Sequence, residues 1–364
     1  MQIKIEKAIF QDLQDHECHH IPLICHLFVT LYEERLVCYV YLSSPNIEYK
    51  LQLISDSAQP DQRTQQWYEF IHSLITASSA WKVFDSQAVL NSLIYEKCSP
   101  CRINDQGNGY VNTESPLHWG HKYEPLSILL YESKYKTEIG EYGCILHKQY
   151  GFLGASPDGI NIQKSNERFG RMLEIKNIVN REITKIPKKE YWIQMQLQME
   201  VCDLNECDFL ETRFKEYQSF EEYIQDGTPN LSQDGKLKGV ILLFYDENKP
   251  LYEYYVKDIN GKYDVWEKKQ FNVHKNHLFM KSIYWKLDEF SCILVLRNKK
   301  WFHSAVVEME KISLVIKHEK LHGYDHRAPK KRERKLSFDM TKNKCHINLS
   351  SKSVDKIQFN FSDD

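Results

Sequence analysis

Hydrophobic and polar positions along the chain change period several times, and each change predicts an element. Residues 24–32 and 36–42 are runs of β-formers and read as two strands. The stretch 55–63 is polar, carries Pro60 and reads as a linker or loop. From 65 to 98 the period lengthens. Trp67, Phe70, Ile71 and Leu74 recur three and four apart, which predicts helix. A loop holding Pro100, Gly107 and Gly109 follows.

Residues 115–135 read as helix, with Ser115 as N-cap and Pro116 at the first helical position. Pro125 lacks an N–H and is expected to kink or restart that helix. Residues 143–150 and 151–162 read as two strands joined by a tight turn, and 171–179 as a third. Residues 190–202 predict a helix. Residues 208–214 and 239–245 read as further strands, with 251–256 pairing next. Trp285, Trp301 and a strand over 292–296 read as the core of a C-terminal subdomain, and everything after about His322 as peripheral.

No internal repeat or sustained heptad is visible. The expected organisation is a β-rich N-terminal addition (1–60), a mixed α/β core (61–258), a C-terminal subdomain packed on it (259–322) and a basic, polar tail (323–364). With 364 residues, 42% hydrophobic and 13% aromatic, the chain can bury a sizeable core. The formal charge of −2 argues against coating nucleic acid by bulk charge, so any such contact must come from local clusters. There is no run of about 20 apolar residues to span a bilayer, and the first residues lack a signal-peptide shape. Ten cysteines without a secretory signal predict reduced thiols, in a cytosolic or nuclear compartment.

Four elements carry candidate chemistry. Glu124 lies in the helix that starts at Ser115. Asp158 lies in Ser156-Pro157-Asp158-Gly159, at a strand end. Glu174 and Lys176 lie two apart in Leu173-Glu174-Ile175-Lys176, so they share one strand face while Leu173 and Ile175 take the other. Gln194 lies on a helix where Tyr191, Gln194 and Gln198 share a face. Two carboxylates and a lysine converging at a sheet edge suit a hard divalent cation such as Mg²⁺. A lysine there can orient water or offset charge on a phosphate. Taken singly, E-x-K is usually a solvated ion pair and S-P-D-G a turn; their order and placement raise the signal.

These blocks resemble the PD-(D/E)XK nucleases, specifically the lambda-exonuclease and YqaJ-like viral recombinase family. Ile75-Thr76-Ala77-Ser78 resembles that family's T-A-S motif, and Trp119-Gly120-His121-Lys122-Tyr123-Glu124 its W-G-x-x-x-E block. Ala155-Ser156-Pro157-Asp158-Gly159 and Leu173-Glu174-Ile175-Lys176 resemble its central motifs, and Tyr191-Trp192-Ile193-Gln194-Met195-Gln196 its Y-x-x-Q-x-Q helix. The match runs from about Trp67 to Phe214, and long versions of this kind look most like those of large DNA viruses.

The resemblance implies a restriction-endonuclease-like α/β core with a mixed sheet flanked by helices. It implies Mg²⁺, with Mn²⁺ as substitute, held by Asp158, Glu174, the Ile175 carbonyl and Glu124. Lys176 would act on the attacking water, supported by Gln194. Ser78 and Ser156 match serines that hold a terminal 5′-phosphate. The implied activity is hydrolysis of DNA from 5′ ends of duplex for recombination, alongside a single-strand annealing protein, and lambda-type members form trimers. The chain departs from the family where an arginine often precedes T-A-S. Phe70-Ile71-His72-Ser73 stands there, with Lys82 as the substitute cation.

Two rivals share these residues: a structure-specific or nicking endonuclease, favoured by the absent arginine, and a silent DNA-binding or host-interaction scaffold. Cys98-Ser99-Pro100-Cys101 is a lone C-x-x-C. A zinc site would need two further ligands from Cys18, His19, His20, Cys25 or His26, and incidental thiols are the simpler reading. The run Arg327–Lys335 reads equally as a localisation or DNA-contact patch and as a solvated tail.

Overall fold

The computed structural model describes residues 25–32, 35–42, 47–57, 60, 64–101, 112–113 and 115–329, the first two segments as backbone alone. Strands β1 (Cys25–Tyr32) and β2 (Arg35–Leu42) form the antiparallel hairpin their β-formers predict. Helix α1 (Ile47–Ser55) follows, within what the sequence suggested was a β-rich addition. Its Leu51 and Ile54 belong to the same buried apolar cluster as Leu153, Ile160 and Met172.

The expected helical stretch 65–98 is broken. Helix α2 (Gln65–His72) ends at Ser73, and β3 (Ile75–Thr76) pairs in parallel with β6. A short helix α3 (Ala77–Ala80), a 3₁₀ turn and α4 (Gln87–Cys98) complete the segment. The β-branched pair Ile75-Thr76 is what local pattern could not separate from helix, because its partner lies 78 positions away, at Leu153 and Gly154.

Helix α5 (Pro116–Tyr135) is capped by Ser115, whose hydroxyl accepts from the His118 N–H at 3.1 Å. It continues past Pro125 as one helix of 20 residues rather than restarting there. The two strands expected over 143–162 are three short ones: β5 (Ile145–Leu146), β6 (Leu153–Ala155) and β7 (Gly159–Asn161), preceded by β4 (Ile139–Gly140). Pro157 cannot donate to a ladder, so pairing stops at Ser156-Pro157-Asp158 and resumes at Gly159.

Strand β8 (Met172–Asn177), helix α6 (Lys189–Cys202) and strand β9 (Glu206–Glu216) follow, then a short helix α7 (Phe220–Gln225). Strands β10 (Lys238–Asp246) and β11 (Lys249–Tyr255) form an antiparallel hairpin, as expected. Helices α8 (Lys257–Asn260) and α9 (Tyr263–Val273) lead into the 19-residue strand β12 (Leu278–Leu296). Helix α10 (Lys299–His322) and a 3₁₀ turn over Asp325–Arg327 close the described chain.

The main sheet has the order β11-β10-β12-β9-β8-β7-β4. It is mixed: β8 and β9 run parallel, and the other pairs are antiparallel. A second sheet has the order β3-β6-β5. This is the helix-flanked mixed sheet that the sequence implied.

The segment 259–322 departs from expectation. Its strand β12 lies inside the main sheet, between β10 and β9, with fully buried Trp285 on it. Trp301 on α10 packs edge-on against Trp192 of α6, ring centroids 5.1 Å apart. The chain beyond His322 is also not wholly peripheral: Arg327 donates to both carboxylate oxygens of Glu319 and, at 2.6 Å, to Asn91. Cys18, His19, His20, Gly107, Gly109 and the basic run past Pro329 lie outside the described residues.

Candidate active site

The site is built where β7 runs out beside β8. Gly159 pairs with Leu173 and Ile160 with Met172, so from Glu174 onward β8 has no partner on that side. Asp158, just ahead of β7, fills the gap. Its Oδ2 accepts the Ile175 N–H at 2.6 Å. A strand residue's N–H and C=O point to the same neighbour, so the Ile175 carbonyl opens to the Asp158 side.

Glu174 projects from the opposite face to Leu173 and Ile175 and is 0% exposed. One of its oxygens pairs with the Lys176 ammonium, and Oε2 accepts from Gln198 Nε2 at 2.7 Å. Gln198 Nε2 also reaches the Ser156 carbonyl at 3.3 Å, which ties helix α6 to the loop that carries Asp158. Gln198 is therefore the glutamine that touches the carboxylates. The side chain of Gln194, one helical turn earlier and half-buried, has no hydrogen-bond partner among the described residues. The shared face of Gln194 and Gln198 was legible in the sequence; which of the two reaches Glu174 depends on how α6 docks.

Helix α5 brings Glu124. The preceding turn is held to β9 by Glu216, whose Oε1 accepts from Lys122 Nζ at 2.5 Å and the Tyr123 hydroxyl at 2.7 Å. Asn177, directly after Lys176, donates to the Gly120 carbonyl at 3.0 Å. Its Oδ1 accepts from Ser127 and Thr212, each at 2.7 Å. Asn177 thus fastens the end of β8 to the helix bearing Glu124, a role no local motif signalled.

The electrostatics follow from burial. Asp158 is pushed well above the usual carboxylate range, first by burial and then by the negative charges of Glu174 and Glu124; Lys176 and the Ile175 N–H pull the other way. Burial alone would lower the Lys176 ammonium, but Glu174 and Asp158 outweigh it and hold it above the usual lysine range. Two carboxylates, Glu174 and Asp158, thus act on one ammonium.

The donors fit a hard divalent cation: carboxylate oxygens from Asp158, Glu174 and Glu124 and the Ile175 carbonyl. Gln198 Oε1 is buried beside them with no hydrogen-bond partner. Among the described residues no three His, Cys, Asp or Glu side chains close into a ready cage. Cys98 and Cys101 form no disulfide among the described residues, and the Cys98 Sγ lies 3.6 Å from the Ile316 carbonyl.

The serines expected to bind phosphate leave the same end of a parallel pair. Thr76 is registered with Gly154, and Ser78 and Ser156 each follow two residues later. Ser78 is exposed, with its hydroxyl 3.2 Å from that of Thr76. Lys82, in contrast, pairs with Glu96 at 3.1 Å, and His72 Nε2 lies 2.9 Å from the Glu96 carbonyl.

With this geometry in place, comparison with known proteins adds four matches. An uncharacterised protein of Acanthamoeba polyphaga mimivirus, R354, is 28% identical over 342 aligned residues, covering 83% of this chain. The chain spans 58% of that relative's length. Among solved structures, an alkaline exonuclease (LHK-Exo) from Laribacter hongkongensis is similar at 18% identity and TM-score 0.42, over 71% of this chain and 95% of that one. A phage-related exonuclease from Haemophilus somnus 129PT is similar at 12% identity and TM-score 0.34, over 70% and 96%. A family model, the YqaJ-like viral recombinase domain, matches residues 66–205. That span, the part of the chain similar to the YqaJ-like viral recombinase domain, holds Glu124, Asp158, Glu174, Lys176 and both glutamines.

Proposed function

We propose that the chain is a divalent-metal-dependent deoxyribonuclease acting from the ends of duplex DNA, in the 5′-to-3′ direction, in support of recombination with a single-strand annealing partner. The observation that carries this reading is Asp158 standing in for the missing β7 partner of Ile175, against the buried Glu174–Lys176 pair. The family match and the nuclease relatives agree with it.

Asp158, Glu174 and the Ile175 carbonyl would hold Mg²⁺ or Mn²⁺, with Glu124 completing the set. A bound divalent cation lowers the pKa of its water and neutralises charge on a scissile phosphate. Lys176 presents a fixed positive charge where negative charge grows during attack, and its charge state is secured by two carboxylates. Gln198 fixes the Glu174 carboxylate through its Nε2 and anchors the Asp158 loop through the Ser156 carbonyl. Ser78 and Ser156 offer hydroxyls at one end of the β3–β6 pair for a terminal phosphate.

A second reading, cutting within the strand, is favoured by one observation: the ammonium of Lys82 is already engaged by Glu96. A time course on linear 5′-phosphorylated duplex, labelled at either end, and on the same DNA as a closed circle separates the two. The proposal expects progressive loss from the 5′ end with the circle intact. Cutting of the circle would replace it with an endonuclease, and binding without any cutting would leave a silent scaffold.

A further inference from the structure

The face that carries Glu174 and Lys176 holds a second acidic side chain that no motif marks. Strands β8 and β9 are parallel, with Glu174 opposite Phe209 and Lys176 opposite Glu211. Registered residues on neighbouring strands share a face at about 4.8 Å strand spacing. Glu211 is 1% exposed. Its Oε1 pairs with Arg181, from the loop after β8, while its Oε2 is buried with no hydrogen-bond partner. Buried carboxylate oxygens without partners are rare and costly. Tyr191 joins the two cations: the Lys176 ammonium lies 5.1 Å and the Arg181 guanidinium 5.5 Å from its ring centre.

The arrangement gives Lys176 two carboxylates on one face, one engaged and one with an oxygen to spare. Its side chain is 24% exposed, so losing its anion without a replacement would be costly. From this we infer that Glu211 is a positioning residue for Lys176. When Glu174 gives its oxygens to a divalent cation, the ammonium shifts one strand across to Glu211 Oε2, over the Tyr191 ring. Arg181 holds the other oxygen and so fixes the carboxylate. No bond is made or broken; one ion pair is exchanged for another. The inference rests on the reading of Asp158 and Glu174 as a cation site.

The test is Mn²⁺ binding by calorimetry on the full chain, which needs no cleavage. Without Glu211 the ammonium stays on Glu174 and competes with the cation. Glu211→Gln should therefore weaken Mn²⁺ binding by roughly tenfold, the scale seen for partners behind metal ligands. In a Lys176→Met background the same change should have no effect. Arg181→Gln, which frees the second oxygen of Glu211, should leave Mn²⁺ binding equal or tighter. The inference is overturned if Glu211→Gln binds like the parent chain, if it weakens binding equally without Lys176, or if Arg181→Gln weakens binding as much. A parent chain that binds no Mn²⁺ overturns this inference together with the cation site. One that binds Mn²⁺ normally but cuts no DNA overturns only the nuclease reading.

Discussion

Glu174 shows how much one residue's surroundings decide. It is fully buried, paired with Lys176 and bonded to Gln198, while the Gln194 side chain stays without a hydrogen-bond partner among the described residues. Gln198→Ala should therefore lower stability by about 1–3 kcal/mol and reduce turnover, because it strips a donor from a buried carboxylate. Gln194→Ala should leave the melting temperature near that of the parent; equal losses from both variants in thermal melts would contradict this placement. Asp158 supplies a pH dependence. Its carboxyl holds a proton more tightly in the folded chain than in the unfolded one. The stability it contributes is thus complete below the ordinary carboxylate range and lost as pH rises through its elevated value. A cation takes only the ionised form, so the gain in melting temperature from Mn²⁺ should grow as pH rises above the ordinary carboxylate range. A gain that falls with pH would show that Asp158 is not a ligand. The residue types at these positions were legible because E-x-K in a strand and S-P-D-G at a strand end constrain direction. Glu211 and Asn177 were not, because their roles depend on strand register and helix docking, which local spacing does not encode.

Among the elements, the loop between β6 and β7 sets the site. Pro157 ends one ladder, Asp158 caps the gap in the next, and Gly159 lets β7 approach β4: a Cβ at Gly159 would lie 2.2 Å from Ile139 Cγ2. Gly159→Ala should destabilise the fold by about 1–3 kcal/mol through overpacking and displace Asp158. It should therefore weaken Mn²⁺ binding as well as lower the melting temperature; a variant that binds Mn²⁺ as the parent does would separate the turn from the site. The same scale shows where pattern reading succeeds and stops. Helix α5 carried its own N-cap in Ser115, and strands β8 to β11 their own runs of β-formers. Helix α1 carried a period, in Ile47, Leu51 and Ile54 at spacings of four and three, but it stood in a stretch dominated by β-formers. The two-residue strand β3 had no local signature, because a pair of residues becomes a strand only when a distant partner arrives.

Across the whole molecule, the decisive feature is β12. The sequence places it far downstream of the matched family segment, and the fold inserts it between β10 and β9. Chain order does not reveal such an insertion, since long-range pairing is set by tertiary packing. The consequence is that residues 61–258 are not a free-standing core. A fragment ending at 258 would lose β12, leaving the inner edges of β9 and β10 unpaired and the Trp285 pocket between Phe214 and Ile241 unfilled. It should aggregate or melt without cooperativity, whereas a fragment ending at 329 should melt like the full chain. Cooperative unfolding of the shorter fragment would contradict this account of the sheet.

The central claim is that the Asp158–Glu174–Lys176 face hydrolyses DNA. Its most direct test is the single-turnover rate of label release from linear duplex in Mg²⁺, for the parent chain and Lys176→Ala side by side, with DNA binding measured in parallel. The account predicts release by the parent, a loss of roughly 10²-fold or more in the variant, and DNA binding little changed. A Lys176→Ala chain that cuts as fast as its parent, or a parent that binds duplex and releases nothing, would contradict it.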